Sequence, residues 1–584
     1  MQDIRNQLKQ LIHDLYGLNF EPDLTPSPDN IDADYSTNAP LKLAKELHKS
    51  PMETAQELAT ELKAVVSIRD NGSERRSEPR DDGREQGDER KLSISRPGFL
   101  NFTLSDDYLS DSIEAFDVGI SSGQYKGQTI ICEFSDPNPF KVLHVGHLYT
   151  SIVGDSIARL YEYAGAKVIR ANFGGDVGLH VAKTMYVLQQ KSPAELTIED
   201  IAKCYIEGTA LYEDDETAHQ EITKLNKEIY QINSEDLHDT PLANLYWQGR
   251  ELSYQYFDQF YNSIGVHFDK YYPESTVADL GLAKVKEELD KGIYEYSDDA
   301  VIFNGDKYGL HTRVFINKEG VPTYETKDVG LIFTKWQDYH FDKSIVITGS
   351  EQLDYMIVVL KSVEQYAPDL VERTTHLTHG LVKLPGGVKM SSRKGNFLKA
   401  VDVLDMVKTA LKQEHNSDDE IVSLAATKYA FLKYKMGGNI IFDPEESVKM
   451  TGNSGPYLLY SCVRAKRILN KASSEFKNKN RENILGNGRK QGGERGLVLN
   501  SLERDLIKIL LEYSAVLDES VSELAPHKVA NYLYELAQTF SRFYENCEVI
   551  GSDQEAMRLH LVETYLDTMS HGLNLLGINI PEKM

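Results

Sequence analysis

The chain of 584 residues is poor in cysteine: Cys132, Cys204, Cys462 and Cys547 are the whole set, and no two lie closer than 72 positions. Without a CxxC pair, neither a structural zinc site nor a disulfide framework is expected. Long apolar runs are missing as well. None approaches the roughly 18 residues of a membrane helix, and the N-terminus, MQDIRNQLKQLIHDLYGLNF, mixes charges into its apolar positions and has no signal-peptide core. A soluble, cytoplasmic protein with no membrane partner is expected. Positive charge is also in deficit, 64 Lys and Arg against 90 Asp and Glu, a net charge of −26. That argues against a generic nucleic-acid binder, which is usually basic, but leaves room for contact through local basic patches. What is present, 41% hydrophobic and 26% charged residues, is an ordinary globular balance. At about 100–200 residues per domain, the length predicts roughly three to five domains.

Residues 1–115 read as a small α+β domain. Helix-period apolar spacing runs through LKLAKELHKSPMETAQELATELKAVV, with Ser50-Pro51 as N-cap and first helical residue. KLSISRPGFLNFTLS reads as a strand pair about a turn at Pro97-Gly98. Between them, residues 69–90 hold no aliphatic or aromatic residue, six Arg and eight Asp or Glu, and read as a disordered insertion. From 116 to about 400 the pattern is α/β. A buried-type strand, Gln128 to Phe134, precedes a helical stretch from Gly146 to Tyr163 and a second strand, Lys167 to Asn172, ending at Gly174-Gly175-Asp176. This βαβ order favours a doubly wound parallel sheet, Rossmann-like in class. Further strands fall at Ser344 to Thr348 and His376 to Val382, and residues about 185–300 read as a helical insertion. Residues 401–450 read as a helical connector and 451–584 as an all-α bundle, interrupted by a Gly-rich loop at 477–496.

The sharpest local signal is His144-Val145-Gly146-His147, between a strand and a helix. A helix N-terminus there offers free N–H groups and a positive dipole end to phosphate. Gly146 lets a base or phosphate approach the backbone, and two histidines three apart share a helical face and can donate to phosphate oxygens. The alternative is chance, since H-x-G-H is only four residues. The second signal, Lys389-Met390-Ser391-Ser392-Arg393-Lys394-Gly395-Asn396, sets three cations and two hydroxyls on a Gly-bounded loop, a mobile polyphosphate clamp or else a solvated basic loop.

In this order and spacing the two motifs resemble the HIGH and KMSKS signatures of class I aminoacyl-tRNA synthetases. Glu133-Phe134-Ser135-Asp136-Pro137-Asn138-Pro139-Phe140-Lys141, Tyr324-Glu325-Thr326-Lys327-Asp328, Gly452-Asn453-Ser454-Gly455-Pro456-Tyr457 and the terminal GLNLLGI resemble the arginyl branch. The resemblance runs from about residue 40 to the end. It implies ATP as substrate, Mg²⁺ accompanying it, arginine and tRNA(Arg) as partners, a tRNA-contacting N-terminal domain, an anticodon-binding bundle and, by family habit, a monomer. It also implies that tRNA must be present for the adenylate to form.

By resemblance, His144 and His147 contact ATP, with Lys141 and Gly146 beside them. Lys389, with Arg393 or Lys394, stabilises the leaving pyrophosphate, and Met390, Ser391 and Ser392 complete the ATP loop. Glu133, Tyr324 and Asp328 read the guanidinium, while Asn138 and Gln352 hold the amino-acid end or wall. A guanidinium's planar fork of donors does need carboxylate acceptors, and Tyr324 and Asp328, four apart, would share a helical face; without the resemblance, a surface carboxylate and a core aromatic are the plainer readings. Tyr457, Tyr460, Arg464 and Arg467 suit unpaired anticodon bases, aromatics stacking and cations meeting phosphates. Four positions depart from the pattern: Ser392 for a second Lys, Tyr149 for Arg, Val177 for Trp and Lys327 for Arg. The rivals are a class I synthetase for another amino acid, a small-molecule nucleotidyltransferase of the same fold, and a catalytically silent RNA-binding paralogue.

Overall fold

The computed structural model describes residues 2–28, 30–31, 33–70, 90–121, 123–191, 196–386, 398–472 and 498–584. Of the stretch 69–90 read as an insertion, residues 71–89 lie outside the described residues, while 69–70 end helix Pro51–Asp70 and 90 begins strand Arg90–Ser95; 477–496 and the KMSSRKGN segment also lie outside the described residues. Two compact units form: Met1–Val118 with Ala465–Ala515 and Leu536–Thr568, and Gly119–Arg464 with Val516–Glu535 and Met569–Met584.

In the first unit, strands Thr25–Pro26, Tyr35–Thr37, Phe99–Leu104 and Arg90–Ser95 lie side by side in that order, all antiparallel. Helix Pro51–Asp70 starts where the sequence suggests, with Ser50 Oγ accepting from Glu53 N at 3.2 Å. The buried Asp34 carboxylate accepts from the Arg504 guanidinium at 2.8 Å, and Arg504 also donates to Leu104 O and to Asp106. A buried carboxylate needs such partners, because stranding it away from water costs several kcal/mol.

The second unit is built on a five-stranded, all-parallel sheet: Thr374–His379, Lys343–Gly349, Thr129–Glu133, Lys167–Gly174 and Lys270–Pro273, in spatial order. Chain order reverses between Thr129–Glu133 and Lys343–Gly349, so the sheet is doubly wound and its switch point lies between those two strands. The strand Lys270–Pro273 falls inside the stretch read as a helical insertion, and a three-stranded antiparallel sheet, Glu295–Ser297, Ala300–Phe303 and Arg313–Ile316, adjoins that stretch. Lys-Tyr-Tyr-Pro is too short and too polar to register as a strand; only its pairing to Ala171–Gly174 makes it one. The helices Ile198–Asp214, Glu216–Ser234 and Pro241–Ser263 do form there, over a core of Phe140, Val177, Val181, Ile222 and Tyr246.

Two helix contacts fix the positions that matter next. Helix Val145–Tyr163 buries Leu148, Ile152, Ile157 and Leu160, the apolar stripe visible in the sequence. Helices Glu274–Asp290 and Tyr324–Tyr339 cross backbone to backbone: a Cβ on Gly281 would sit 2.0 Å from Thr326 O, and one on Gly330 2.1 Å from Val277 O. Only glycines allow that approach, and it holds Tyr324 and Asp328 in register with Glu274.

Candidate active site

Beyond the carboxyl ends of the sheet strands lies a cavity of about 600 Å³. Every strand contributes to its wall: Glu133 and the Ser135–Asn138 loop from the first in chain order, Phe173 and Gly175 from the second, Glu274 just after the third, Val346–Gly349 from the fourth and His379 from the fifth. Helix starts supply His144, Gly146 and His147 on one side, Tyr324 and Asp328 on another, and Gln352 closes the rim.

The loop after Glu133 is held in a conformation that side chains usually avoid. Ser135, Asp136 and Phe140 have φ values of 73°, 51° and 64°, a cost the surroundings must offset. They do so by stitching the loop to the end of the second strand: Asp136 Oδ1 accepts from Phe173 N at 2.8 Å, and Asn138 Oδ1 accepts from Gly175 N at 2.7 Å. The turn below is structural: Asp176 is buried and accepts from Ser275 N, Ser275 Oγ and Arg250 Nε at 3.0, 2.7 and 2.9 Å.

The two signature histidines cap one helix together. His144 is the N-cap rather than a helical residue; its Nδ1 accepts from Gly146 N, and His147 Nδ1 accepts from His144 N, each at 3.1 Å. Because a backbone N–H can only donate, each ring carries its proton on Nε2. The rings stack at 3.8 Å. Burial, with Lys141 and His379 nearby, pulls His144 down to about 4, and burial with the His144 neighbour sends His147 well below the ordinary imidazole range. Both are neutral hydrogen-bond donors at physiological pH. A Cβ on Gly146 would meet the His144 ring at 2.8 Å, so the glycine is required by the cap itself.

The other end of the cavity is acidic. Burial, with Glu133 and Glu274 facing it, holds the Asp328 carboxyl well above the usual carboxylate range, and Asp136 is raised by burial beside Glu133. Asp328 makes no ion pair among the described residues. Glu133 is not free in the same way: its Oε2 accepts from Lys335 Nζ at 2.7 Å. Glu274 is paired with Lys327 at 2.6 Å, and Lys327 also lies under the rings of Tyr324 and Tyr230. Tyr324 is half exposed, and desolvation of its hydroxyl where it enters the cavity, with Glu274 nearby, raises its pKa to about 12.

The structure thus brings Glu133, Asn138, His144, Gly146, His147, Tyr324, Asp328 and Gln352 to one cavity. Lys141 is not among the lining residues; its Nζ lies 5.0 Å from the Tyr205 ring. Lys389, Met390, Ser391, Ser392, Arg393 and Lys394 lie outside the described residues, yet residues on either side, Lys383 and Leu398, line the cavity. Leu398 O accepts from Val145 N at 2.9 Å, Ala400 N donates to Leu143 O at 3.0 Å, and Lys399 bridges His144. The chain from Leu398 to Ala400, far from the first motif in sequence, is its neighbour here. Tyr457, Tyr460, Arg464 and Arg467 lie on helix Gly455–Lys471, with the Arg464 guanidinium over the Tyr460 ring at 5.0 Å. Sequence reasoning missed Asp136, Glu274, His379 and Lys383, each the residue at a strand end or loop that only the sheet order brings in. Three of the four departures have roles in the described structure: Tyr149 meets His379 edge-on at 4.9 Å, Val177 joins the core under the inserted helices, and Lys327 pairs Glu274; Ser392 lies outside the described residues.

A model of the catalytic domain of class I tRNA synthetases (R) matches residues 116–443. The chain belongs to the class I arginyl-tRNA synthetases. The arginyl-tRNA synthetase N-terminal domain matches residues 2–70 and the DALR anticodon-binding domain residues 458–584. Arginine–tRNA ligases of Phocaeicola vulgatus (28% identical over 535 residues, 83% of this chain and 86% of the relative) and Bacteroides fragilis (27% over 585 residues, 93% and 92%) are similar along nearly the whole length. The arginyl-tRNA synthetase of Thermus thermophilus shares the fold at a TM-score of 0.77 and 22% identity over all of both chains. That of Plasmodium falciparum does so at 0.76 and 20%, covering 100% of this chain and 99% of the other.

Proposed function

We propose that the cavity binds arginine at its acidic end and ATP at its histidine end, and that this arginine–tRNA ligase forms arginyl-adenylate between them. The observation that carries the reading is that His144, from the first motif, and Asp328, from the Tyr324–Asp328 string, line a single cavity of about 600 Å³ at the switch point. The arginine carboxylate attacks the α-phosphate of ATP in line and pyrophosphate leaves, so the protein needs no nucleophile of its own and works by positioning and charge stabilisation. The Nε2–H groups of His144 and His147 donate to phosphate oxygens and the ribose side, with Gly146 giving clearance. Lys389 and Arg393 or Lys394 meet the leaving pyrophosphate, and Met390, Ser391 and Ser392 complete that loop. Asp328, Tyr324 and the open oxygen of Glu133 read the guanidinium, while the Asn138 amide and Gln352 hold the α-amino-acid end. Mg²⁺ enters with ATP as part of the substrate complex. Among the described residues no group of three or more His, Cys, Asp or Glu side chains is arranged to hold a metal.

The adenylate then passes arginine to a ribose hydroxyl at the tRNA 3′ end, with Tyr457, Tyr460, Arg464 and Arg467 meeting the anticodon. Residues 1–115 touch the tRNA elsewhere, residues 116–400 carry the chemistry, and 451–584 bind the anticodon. The enzyme works as a monomer in the cytoplasm; among the described residues no helix is long and apolar enough to cross a membrane. The test is pyrophosphate exchange into ATP, measured with each of the twenty amino acids and total tRNA. Exchange with arginine alone is expected; exchange with another amino acid, or with none, would retire the proposal.

A further inference from the structure

Glu133 ends the first sheet strand, inside the cavity wall, and is 2% exposed. Its Oε2 takes a hydrogen bond from Lys335 Nζ at 2.7 Å, and the same Nζ donates to Ser344 Oγ at 3.1 Å. Lys335 is 1% exposed and does not line the cavity. It sits two turns along the helix that presents Tyr324 and Asp328, so one helix delivers both the open carboxylate and the cation that neutralises its neighbour. Of the other acids nearby, Glu274 is paired with Lys327 and Glu325 with Arg313, while burial beside Glu133 raises Asp136.

We propose that Lys335 is a specificity-determining positioning residue: by holding Glu133 Oε2 from outside the cavity lining, it cancels that charge and leaves the cup one negative charge, that of Asp328, to match a single guanidinium. The inference rests on the guanidinium reading given above and adds to it the count of charges. Asp328 is faced by Glu133 and Asp136 from the first strand and its loop, by Glu274 from the crossing helix, and by Glu325 and Lys335 from its own helix. With burial raising both Asp328 and Asp136, the arginine-free cup holds protons there. Arginine entry then exchanges one proton on Asp328 for one guanidinium, and the total charge of a buried site is unchanged. Without Lys335, Glu133 would leave an anion uncompensated after arginine binds, which is costly in a buried site.

The charge count makes a prediction that plain contact loss does not. Glu133→Gln leaves the Lys335 ammonium facing Asp328 and cancels the last anion. Lys335→Met leaves one anion too many. Each alone should raise the arginine KM of the full-length enzyme, in the tRNA charging assay at pH 7, at least twentyfold. The double variant E133Q/K335M restores the count to one and should bind arginine at least fivefold better than either single variant. K335R should stay within about threefold of the parent, the ATP KM should move less than twofold throughout, and K335M should shift the fall of arginine KM with rising pH to higher pH. A double variant no better than the singles, or ATP and arginine KM rising together, would overturn the role of Lys335; if K335M does not fold, the comparison of E133Q with the double variant decides alone. Asp328→Asn separates the two readings. An arginine KM unmoved by D328N ends the guanidinium cup itself, whereas a raised one beside an unchanged charge cycle ends only the inference about Lys335.

Discussion

The two ends of the cavity face opposite electrostatic problems. The histidine end must be good at donating hydrogen bonds without carrying charge: both rings are pushed down by burial, and the backbone fixes their protons on Nε2. The acidic end must withhold its charge until a cation arrives: burial and mutual repulsion push Asp328 and Asp136 up, and two lysines absorb the surplus. The difference teaches that desolvation serves both ends, but with opposite outcomes. It keeps an imidazole as the neutral donor a polyanion can use, and it makes a carboxylate wait, protonated, for its partner.

That comparison can be broken one end at a time. The largest effect is expected from Asp328→Ala. Removing the carboxylate opposite a buried guanidinium costs about 3–5 kcal/mol, so arginine kcat/KM should fall by roughly two to four orders of magnitude while the ATP KM stays put; parallel losses in both would erase the division of labour. Gly146→Ala acts at the other end. Its Cβ displaces the His144 ring, and misplacing a catalytic donor by about 1 Å costs roughly a hundredfold; kcat and the ATP KM should suffer, with arginine KM unchanged. A smaller effect sharpens the contrast by pH. Only the deprotonated Asp328 pairs with a guanidinium, and its folded pKa is raised, so arginine KM should fall as pH rises from about 6 to 8, by at most about tenfold per unit for one proton. With His144 at about 4, the ATP KM should be flat above pH 7. An arginine KM flat over the same range would show that the acidic end is already charged when empty. The smallest change is expected for Tyr324→Phe at the rim, about three- to tenfold in arginine kcat/KM for one lost hydrogen bond, readable by the same charging assay.

Much of this was legible in the sequence, for reasons that differ by residue. His144 to His147 could be read because strand, glycine and helix start are local signals; Tyr324 and Asp328 came only through the resemblance to the arginyl branch, since a four-residue spacing places them on one helical face without saying what they do. That His144 is a cap and not a helical residue was beyond the pattern, since capping is decided by φ and ψ at a single position. Lys335 was invisible because a lysine on an amphipathic helix is read as solvent-facing; the clue lay elsewhere, in Glu133, a carboxylate at the end of a buried strand that had to have a partner. The strand Lys270–Pro273 was missed because its identity comes from its neighbour across the sheet, and with it went Glu274, the first residue after that strand.

The reciprocal capping of the two histidines has one more consequence. Adjacent imidazoles are usually a snare for stray zinc or nickel ions. A metal at Nε2 would push the ring proton to Nδ1, where it would collide with the backbone N–H already aimed there. The cap therefore disfavours zinc or nickel at the Nε2 atoms while leaving their N–H groups to anions, a bias that follows from how the helix begins.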